Sequence, residues 1–333
     1  MHLSVVRVTG RPAGAPGSLA GLGWSPFFED QLSADETTLS RSRIDAVHRS
    51  RLTALTEAGQ IDLILPARTD TADYAVGDWV LADPLSRALA RRLTRRTLLQ
   101  RRGEGNRPTQ LVAANIDTLF IVASCNADFN LARLERYLAL ANDAGTEPVI
   151  VLTKADVAAD AAEFERRAAA LQRDLPIVAL NAGSAGAAAA LAQWCAAGST
   201  IALVGSSGVG KSTLVNTLVG TTWRPRQETG SVRESDSKGR HVTTSRSLHL
   251  MSAGGWVIDT PGIRSLHLSD VSQGIDMLFA EITELAPNCK FRNCTHDHEP
   301  GCAVLAAVAA GTLDAERLAR WRKLQAESRG RSR

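Results

Sequence analysis

No apolar run in this chain approaches the ~18 residues that a membrane span needs, and nothing near its start has the pattern of a secretory signal. The expected setting is therefore soluble and cytoplasmic, where disulfides are rare. A dominant charge is missing too. The 38 Lys and Arg stand against 35 Asp and Glu, a net +3, so global electrostatics single out no partner. Cysteine is scarce, five in 333 residues, yet three of the five crowd into one short stretch. At roughly 150 residues per domain the length allows two or three domains, and 44% hydrophobic content is ample for their cores.

What is present is sharper. Residues 205–212 read Gly205-Ser206-Ser207-Gly208-Val209-Gly210-Lys211-Ser212, a complete G-x-x-x-x-G-K-[ST] loop followed by Thr213. It follows the apolar run Thr200–Val204 and opens into a helical pattern, the strand-to-helix setting that a phosphate-binding loop requires. Its backbone N–H groups can cradle nucleotide phosphates, Lys211 can neutralise the β and γ oxygens, and the Ser212 hydroxyl can meet magnesium. Trp256-Val257-Ile258-Asp259-Thr260-Pro261-Gly262 lies downstream, with Asp259 48 residues after Lys211. Asp259 there can hold a magnesium-bound water, and Gly262 can offer its N–H to a γ-phosphate. Upstream, the apolar Pro148–Leu152 runs into Thr153-Lys154-Ala155-Asp156. A carboxylate in that place accepts from guanine N1 and N2, a donor pair that adenine lacks. Thr153 in place of the commoner Asn keeps an ATP-dependent enzyme open as an alternative.

Cys289, Cys294, His296 and Cys302 follow C-x4-C-x-H-x5-C, a suitable set for one closed tetrahedral zinc, with His298 a competing ligand. Cys125 and Cys195 sit in apolar surroundings and read as core. Two segments are locally basic. Residues 87–107 hold Arg87, Arg91, Arg92, Arg95, Arg96, Arg101, Arg102 and Arg107 against Glu104 alone. Residues 317–333 hold Arg317, Arg320, Arg322, Lys323, Arg329, Arg331 and Arg333 against Glu327. Such blocks fit phosphate-backbone binding, or simply solvated basic surfaces. The last six residues, from Ser328, are expected to be disordered.

Three blocks organise the chain. Residues 1–45 are rich in Gly, Pro and Ser with Trp24, Phe27 and Phe28 as isolated aromatics, and read as a loose arm with a short helix. Residues 46–109 show short alternating stretches that fit a small β-barrel. Residues 110–268 alternate apolar strands with amphipathic helices, the pattern of a doubly wound parallel sheet; 157–173 and 186–197 are expected to be crossover helices. Thr221 to Arg246 is polar and weakly periodic, and fits a mobile switch. Residues 269–333 carry the cysteine cluster and a basic tail.

The base reader precedes the phosphate loop, the reverse of most GTPases, which implies a circular permutation. That order resembles the RsgA family of ribosome small-subunit-dependent GTPases. So do Ala113-Ala114-Asn115-Ile116-Asp117-Thr118, Asp128-Phe129-Asn130, Asp236-Ser237-Lys238-Gly239-Arg240-His241 and Cys289-Lys290-Phe291-Arg292-Asn293-Cys294-Thr295-His296. The resemblance is dense from about residue 76 onward. It implies a multi-domain α/β protein with an N-terminal OB-like barrel, a central circularly permuted P-loop GTPase domain and a C-terminal zinc-binding helical domain. Within the barrel, Ala75-Val76-Gly77-Asp78-Trp79-Val80 resembles the family's Gly-Asp-x-Val strand. It implies a monomer that binds GTP and GDP with magnesium, and the 30S subunit with its rRNA, in late small-subunit maturation. The alternative from another class is a nucleotide-gated RNA-binding chaperone whose hydrolysis is incidental. The family spacing selects His296 over His298. It places Asn181-Ala182 where GTPases carry a guanine-contacting Ser-Ala loop. Thr243 or Thr244 becomes the switch ligand of magnesium and the γ-phosphate, beside Ser212 and Asp259. Ile263 stands where Ras-like enzymes orient water with Gln, and His241 is the candidate to take over that role.

Overall fold

The computed structural model describes residues 17–101, 109–220, 247–259 and 271–330. Five strands near the start form a barrel: β1 (Ser40–Val47), β2 (Leu52–Thr56), β3 (Gly59–Asp62), β4 (Trp79–Ala82) and β5 (Leu89–Arg92). The long β1 pairs antiparallel with β2 through its second half and with β4 through its first, while β3 adds to β2 and β5 to β4. The ends meet through a parallel bridge from Ile64 to Ala88, with Ile64 N–H donating to Arg87 O and Leu89 N–H to Ile64 O, both at 2.9 Å. That closure gives the OB-like order 3-2-1-4-5 and removes the sheet edges. Ile44, Leu52, Ala54, Leu63, Val80, Ala82 and Leu89 fill the interior, the inward half of each alternating strand.

Gly77 and Asp78, expected in a strand, sit just before β4 and have separate tasks. Gly77 has φ +92°, and a Cβ there would lie 2.1 Å from Ala114 O, so only glycine fits. Asp78 is fully buried, accepts the Ala75 N–H and forms a two-pronged ion pair with Arg95 at 2.7 Å.

The segment expected to be a loose arm is packed where it is described, from Gly17 onward, and β1 begins inside it, at Ser40. Trp24 meets Trp79 edge-on with ring centroids 4.8 Å apart, and Phe28 is buried against both. Aromatics that look isolated along the chain thus form one cluster with a barrel strand. Arg43 of β1, fully buried, joins three regions: it donates to Leu22 O (2.6 Å), Thr200 Oγ1 (2.7 Å) and Asn115 O (3.4 Å). Burial pushes its guanidinium down to about 10, still far above neutrality.

A hairpin of β6 (Leu98–Arg101) and β7 (Gln110–Ala114) leads to the main sheet. Its strands are β8 (Thr118–Ser124), β9 (Glu147–Thr153), β10 (Ile177–Ala179), β11 (Thr200–Val204), β12 (Ser247–Leu250) and β13 (Trp256–Asp259). They run in the order 10-9-8-11-13-12, all parallel except β12. Ala46 of β1 pairs with Ser247 of β12, so barrel and parallel sheet are continuous. Chain order reverses between β8 and β11, a switch point of the kind where open α/β sheets bind ligands beyond the strand C-termini.

The crossover helices are shorter than expected. Ala161–Ala169 replaces 157–173 because Asp160 caps it, accepting from Glu163 N–H at 3.0 Å. Ala185–Ala190 ends in a 3-10 turn at Ala192–Trp194. The Leu131–Asp143 helix packs on β8 and β9 and on the C-terminal helix Ser272–Leu278, and side-chain bonds tie it to Ala315–Gly330; Ala280–Leu285 and Ala303–Ala309 complete the C-terminal helices. Gly274 permits the closest approach, since a Cβ there would lie 1.9 Å from Ala139 O. The last helix runs to Gly330, past the Ser328 at which disorder was expected. Among the described residues no helix is long and apolar enough to cross a membrane.

Candidate functional site

Four strand ends gather at the C-terminal edge of the parallel sheet: β11 leads into Gly205–Ser212, β9 into Lys154–Asp156, β10 toward Asn181-Ala182, and β13 ends at Asp259. Gly205 has φ +145° and its Cα faces Val122 O, which a Cβ would approach to 2.2 Å, so the loop starts with glycine because β8 is in the way. Gly208 and Gly210 have φ +78° and +93°, which curls the loop before the Lys211–Val219 helix begins. Val209 is buried and anchors the turn, while Ser207, Gly208 and Ser212 are exposed. Lys211 Nζ lies on the carbonyls of Gly205 (2.7 Å) and Ser206, closing the loop on itself. Thr213 O accepts from Thr217 Oγ1 at 3.0 Å, and the same hydroxyl donates to Ala182 O at 2.7 Å, tying the loop's helix to the Asn181-Ala182 segment.

Thr153 is fully buried and donates Oγ1 to Val209 O (2.6 Å), a direct latch between the two motifs. Its place, read from sequence only as an unusual variant of Asn, has a structural reason in that contact. Lys154 takes the left-handed conformation at φ +58°, which turns the chain so that Asp156 is exposed at the edge. The Asp156 carboxylate accepts from Asn181 Nδ2 at 2.8 Å. Sequence reasoning assigned Asn181 a backbone role and missed this side-chain support. Ala182 is buried behind it.

Asp259 pairs with Ser247 across β12 and β13, which sets the backbone of the β13 end. His241, Thr243, Thr244, Gly262 and Ile263, and the whole expected switch 221–246, lie outside the described residues.

A second cluster lies in the C-terminal region. The ligand atoms of Cys289, Cys294, His296 and Cys302 all fall within 4.8 Å of one another. His296 Nδ1 is 3.5 Å from Cys289 Sγ and 3.4 Å from Cys302 Sγ, and those two sulfurs are 3.8 Å apart. Tetrahedral zinc with Zn–S ≈ 2.3 Å and Zn–N ≈ 2.0 Å requires edges of about 3.5 to 3.8 Å, so this donor set fits zinc. Burial lowers the His296 pKa, favouring the neutral imidazole that ligates metal. His298 instead points to solvent, 84% exposed and 3.4 Å from Asp297. Burial raises the thiols of Cys125 and Cys195, the latter to about 12, which suits inert core residues.

Several arginines of the basic blocks have partners within the protein. Arg91 pairs with Glu36, Arg95 with Asp78, and Arg96 with Asp117. Arg92 donates to Asp73 O. Arg317 and Arg320 converge on the buried Glu135 at 3.0 and 2.8 Å, and Arg322 faces Asp297 at 3.4 Å. For these arginines the sequence pattern reflects internal pairing and not a free phosphate-binding face; Arg102, Arg107, Arg331 and Arg333 lie outside the described residues.

A G-x-x-x-x-G-K-S loop at a sheet's switch point, a Thr-Lys-x-Asp motif encoded before it, an OB-like barrel in front and a Cys3His cluster behind define a circularly permuted P-loop GTPase. Comparison with known proteins agrees. A model of the RsgA GTPase family matches residues 92–269. The chain is 66% identical over 311 residues to the small ribosomal subunit biogenesis GTPase RsgA of Mesorhizobium japonicum, covering 93% of this chain and 90% of that protein. It is 47% identical to RsgA 2 of Vibrio vulnificus, over 94% of this chain and 88% of that one. The crystal structure of YjeQ from Thermotoga maritima superposes with a TM-score of 0.65 at 25% identity, covering 88% and 99% of the two chains. YloQ, a circularly permuted GTPase, gives 0.64 at 22%, over 90% and 98%, and shows the fold alone. The chain belongs to the RsgA family and is a GTP hydrolase.

Proposed function

We propose that this GTPase is stimulated by the small (30S) ribosomal subunit and acts in the cytoplasm, as a monomer, late in that subunit's maturation, through contacts to rRNA. The observation that carries the reading is the convergence of Gly205–Ser212, Thr153–Asp156 and Asn181 on one sheet edge, latched together by Thr153 and Thr217. This supports a guanine nucleotide seated with its base on Asp156 and its phosphates on the loop. The names of the two RsgA relatives support small-subunit biogenesis as the setting.

In this reading Lys211 moves from the Gly205 and Ser206 carbonyls to the β- and γ-phosphates. Ser212 and Asp259, with Thr243 or Thr244, would hold magnesium, which would supply positive charge beside the phosphates. Gly262 senses the γ-phosphate through its N–H. Asn181 keeps the Asp156 carboxylate aimed, so the base is recognised by an acceptor already in place. Zinc on Cys289, Cys294, His296 and Cys302 is structural.

Ile263 cannot orient a water, so the free protein should be slow, and ordering of 221–246 on the subunit would bring in His241. The test is GTP turnover with and without purified small subunits, repeated for His241→Ala. The reading expects stimulation by orders of magnitude in the parent and loss of most of it in the variant, with subunit binding kept. Equal turnover with and without subunits would overturn the dependence on the ribosome, and full stimulation of the variant would overturn the role of His241.

A further inference from the structure

Arg91, Arg95, Arg317 and Arg320 each face an acid, whereas Arg133 faces the phosphate loop. It lies on the first turn of the Leu131–Asp143 helix, is exposed, and makes no ion pair with a described carboxylate. A cation there opposes the helix dipole, whose N-terminal end favours negative charge. Its Nη1 donates instead to the hydroxyl of Ser206 at 2.7 Å, inside the phosphate loop.

Ser206 is also where Lys211 rests, with its ammonium on the Ser206 carbonyl. That ammonium serves the β/γ end of a nucleotide, so Ser206 marks the terminal-phosphate end of the loop. Two cations therefore converge on a single residue, with a neutral hydroxyl as the only described hydrogen-bond partner of the Arg133 guanidinium. An anion is the natural complement of that arrangement, and it would sit at the end of the loop where GTP differs from GDP.

We infer that Arg133 is a γ-phosphate-binding residue, supplied by a helix outside the recognised GTPase motifs, that favours GTP over GDP. The inference rests on the loop seating GTP as described under the proposed function. On binding, the guanidinium exchanges the Ser206 hydroxyl for a γ-phosphate oxygen, a stronger charge-assisted pair. GDP offers no such oxygen, so Arg133 leaves its affinity unchanged.

The test measures affinity for GDP and for a non-hydrolysable GTP analogue in the parent, Arg133→Ala, Arg133→Lys and Ser206→Ala. Arg133→Ala should weaken the GTP analogue by roughly tenfold or more and leave GDP within about twofold, as loss of one charge-assisted contact predicts. Arg133→Lys should recover part of the loss. Ser206→Ala should keep the preference for GTP, because the hydroxyl is only a resting partner. Thermal unfolding should be unaltered in Arg133→Ala, given its exposure. Equal weakening of both nucleotides, no weakening of either, or a Ser206→Ala variant that loses the preference equally would overturn the inference. If Lys211→Ala binds both nucleotides as the parent does, the loop assignment itself falls, and that outcome is distinct from an Arg133→Ala variant that alone behaves as the parent.

Discussion

The nucleotide edge and the Cys3His cluster are both places where the chain gathers ligating groups, but opposite forces hold them. The nucleotide edge rides on β8, β9 and β11, whose side chains from Phe120 to Leu203 are almost wholly buried. Packing and ladder hydrogen bonds fix its loops before any ligand arrives. Among the 13 residues from 289 to 301, by contrast, only His296 is buried, and no α-helix or strand crosses the stretch. Local bonds help: Glu299 accepts from Thr295 and from the Asp297 N–H, and these contacts hold its carboxyl well below the usual range. Arg322 adds a bond to His296 O. With so little burial, a bound zinc would be the main folding energy available there. A preformed site should lose chemistry and keep structure when one side chain is removed, whereas a metal-made site should lose both.

The largest expected effect tests the first half of that contrast. Lys211→Ala should cut GTP hydrolysis by about 10³-fold or more, since it removes the counter-charge of the terminal phosphates. Its unfolding midpoint should remain that of the parent, and a marked fall in the midpoint would show that the loop is not preformed. Ser212→Ala should behave alike through loss of a magnesium ligand.

Removing a metal ligand tests the second half. Elemental analysis of the parent should give one zinc per chain, and Cys302→Ser, Cys294→Ser or His296→Ala should lose it. Each should also raise amide exchange across 280–310 while β8, β9 and β11 stay protected. His298→Ala should keep both metal and protection; if it alone releases the metal, the ligand set is wrong.

Between the two regions lies Glu135, 1% exposed, on the helix that also carries Arg133. Glu135→Ala would remove one of the two carboxylates on Arg317 and leave Glu281 at 2.7 Å, so the cost should fall below the about 3–5 kcal/mol of a fully broken buried pair. Denaturant unfolding should report that loss; a change under about 1 kcal/mol would mean that the C-terminal helices dock by apolar packing alone. A smaller effect is expected from Asn181→Ala. It should weaken GTP binding by about 1 kcal/mol, the scale of one supporting hydrogen bond, with ATP unaffected. Equal weakening of both would assign Asn181 a general structural role.

The candidate ligating residues were legible as motifs because phosphate, guanine and zinc each demand particular residue types at short spacing. Gly205–Ser212, Asp156 and the Cys3His set could therefore be read without any knowledge of contacts. Long-range pairing was not legible. Trp24 finds Trp79, Arg95 finds Asp78 and Arg317 finds Glu135 across separations that local pattern cannot encode. The internal partners of Arg91, Arg95 and Arg317 were therefore hidden within blocks read as fitting phosphate-backbone binding or solvated basic surfaces, and Arg133, alone in an ordinary helix, drew no notice. The crossover helix at 161 was overextended because alanine-rich sequence continues past the Asp160 cap that sets its true start.

Central to this account is that one preformed edge both selects guanine and cleaves its nucleotide. The most direct measurement is phosphate release from GTP and from ATP by the intact protein, with Asp156→Asn alongside and Lys211→Ala as the blank. The account predicts release from GTP well above that from ATP, loss of that preference in Asp156→Asn, and no release above background in Lys211→Ala. Equal release from the two nucleotides by the parent protein, or parent-level release by Lys211→Ala, would contradict it.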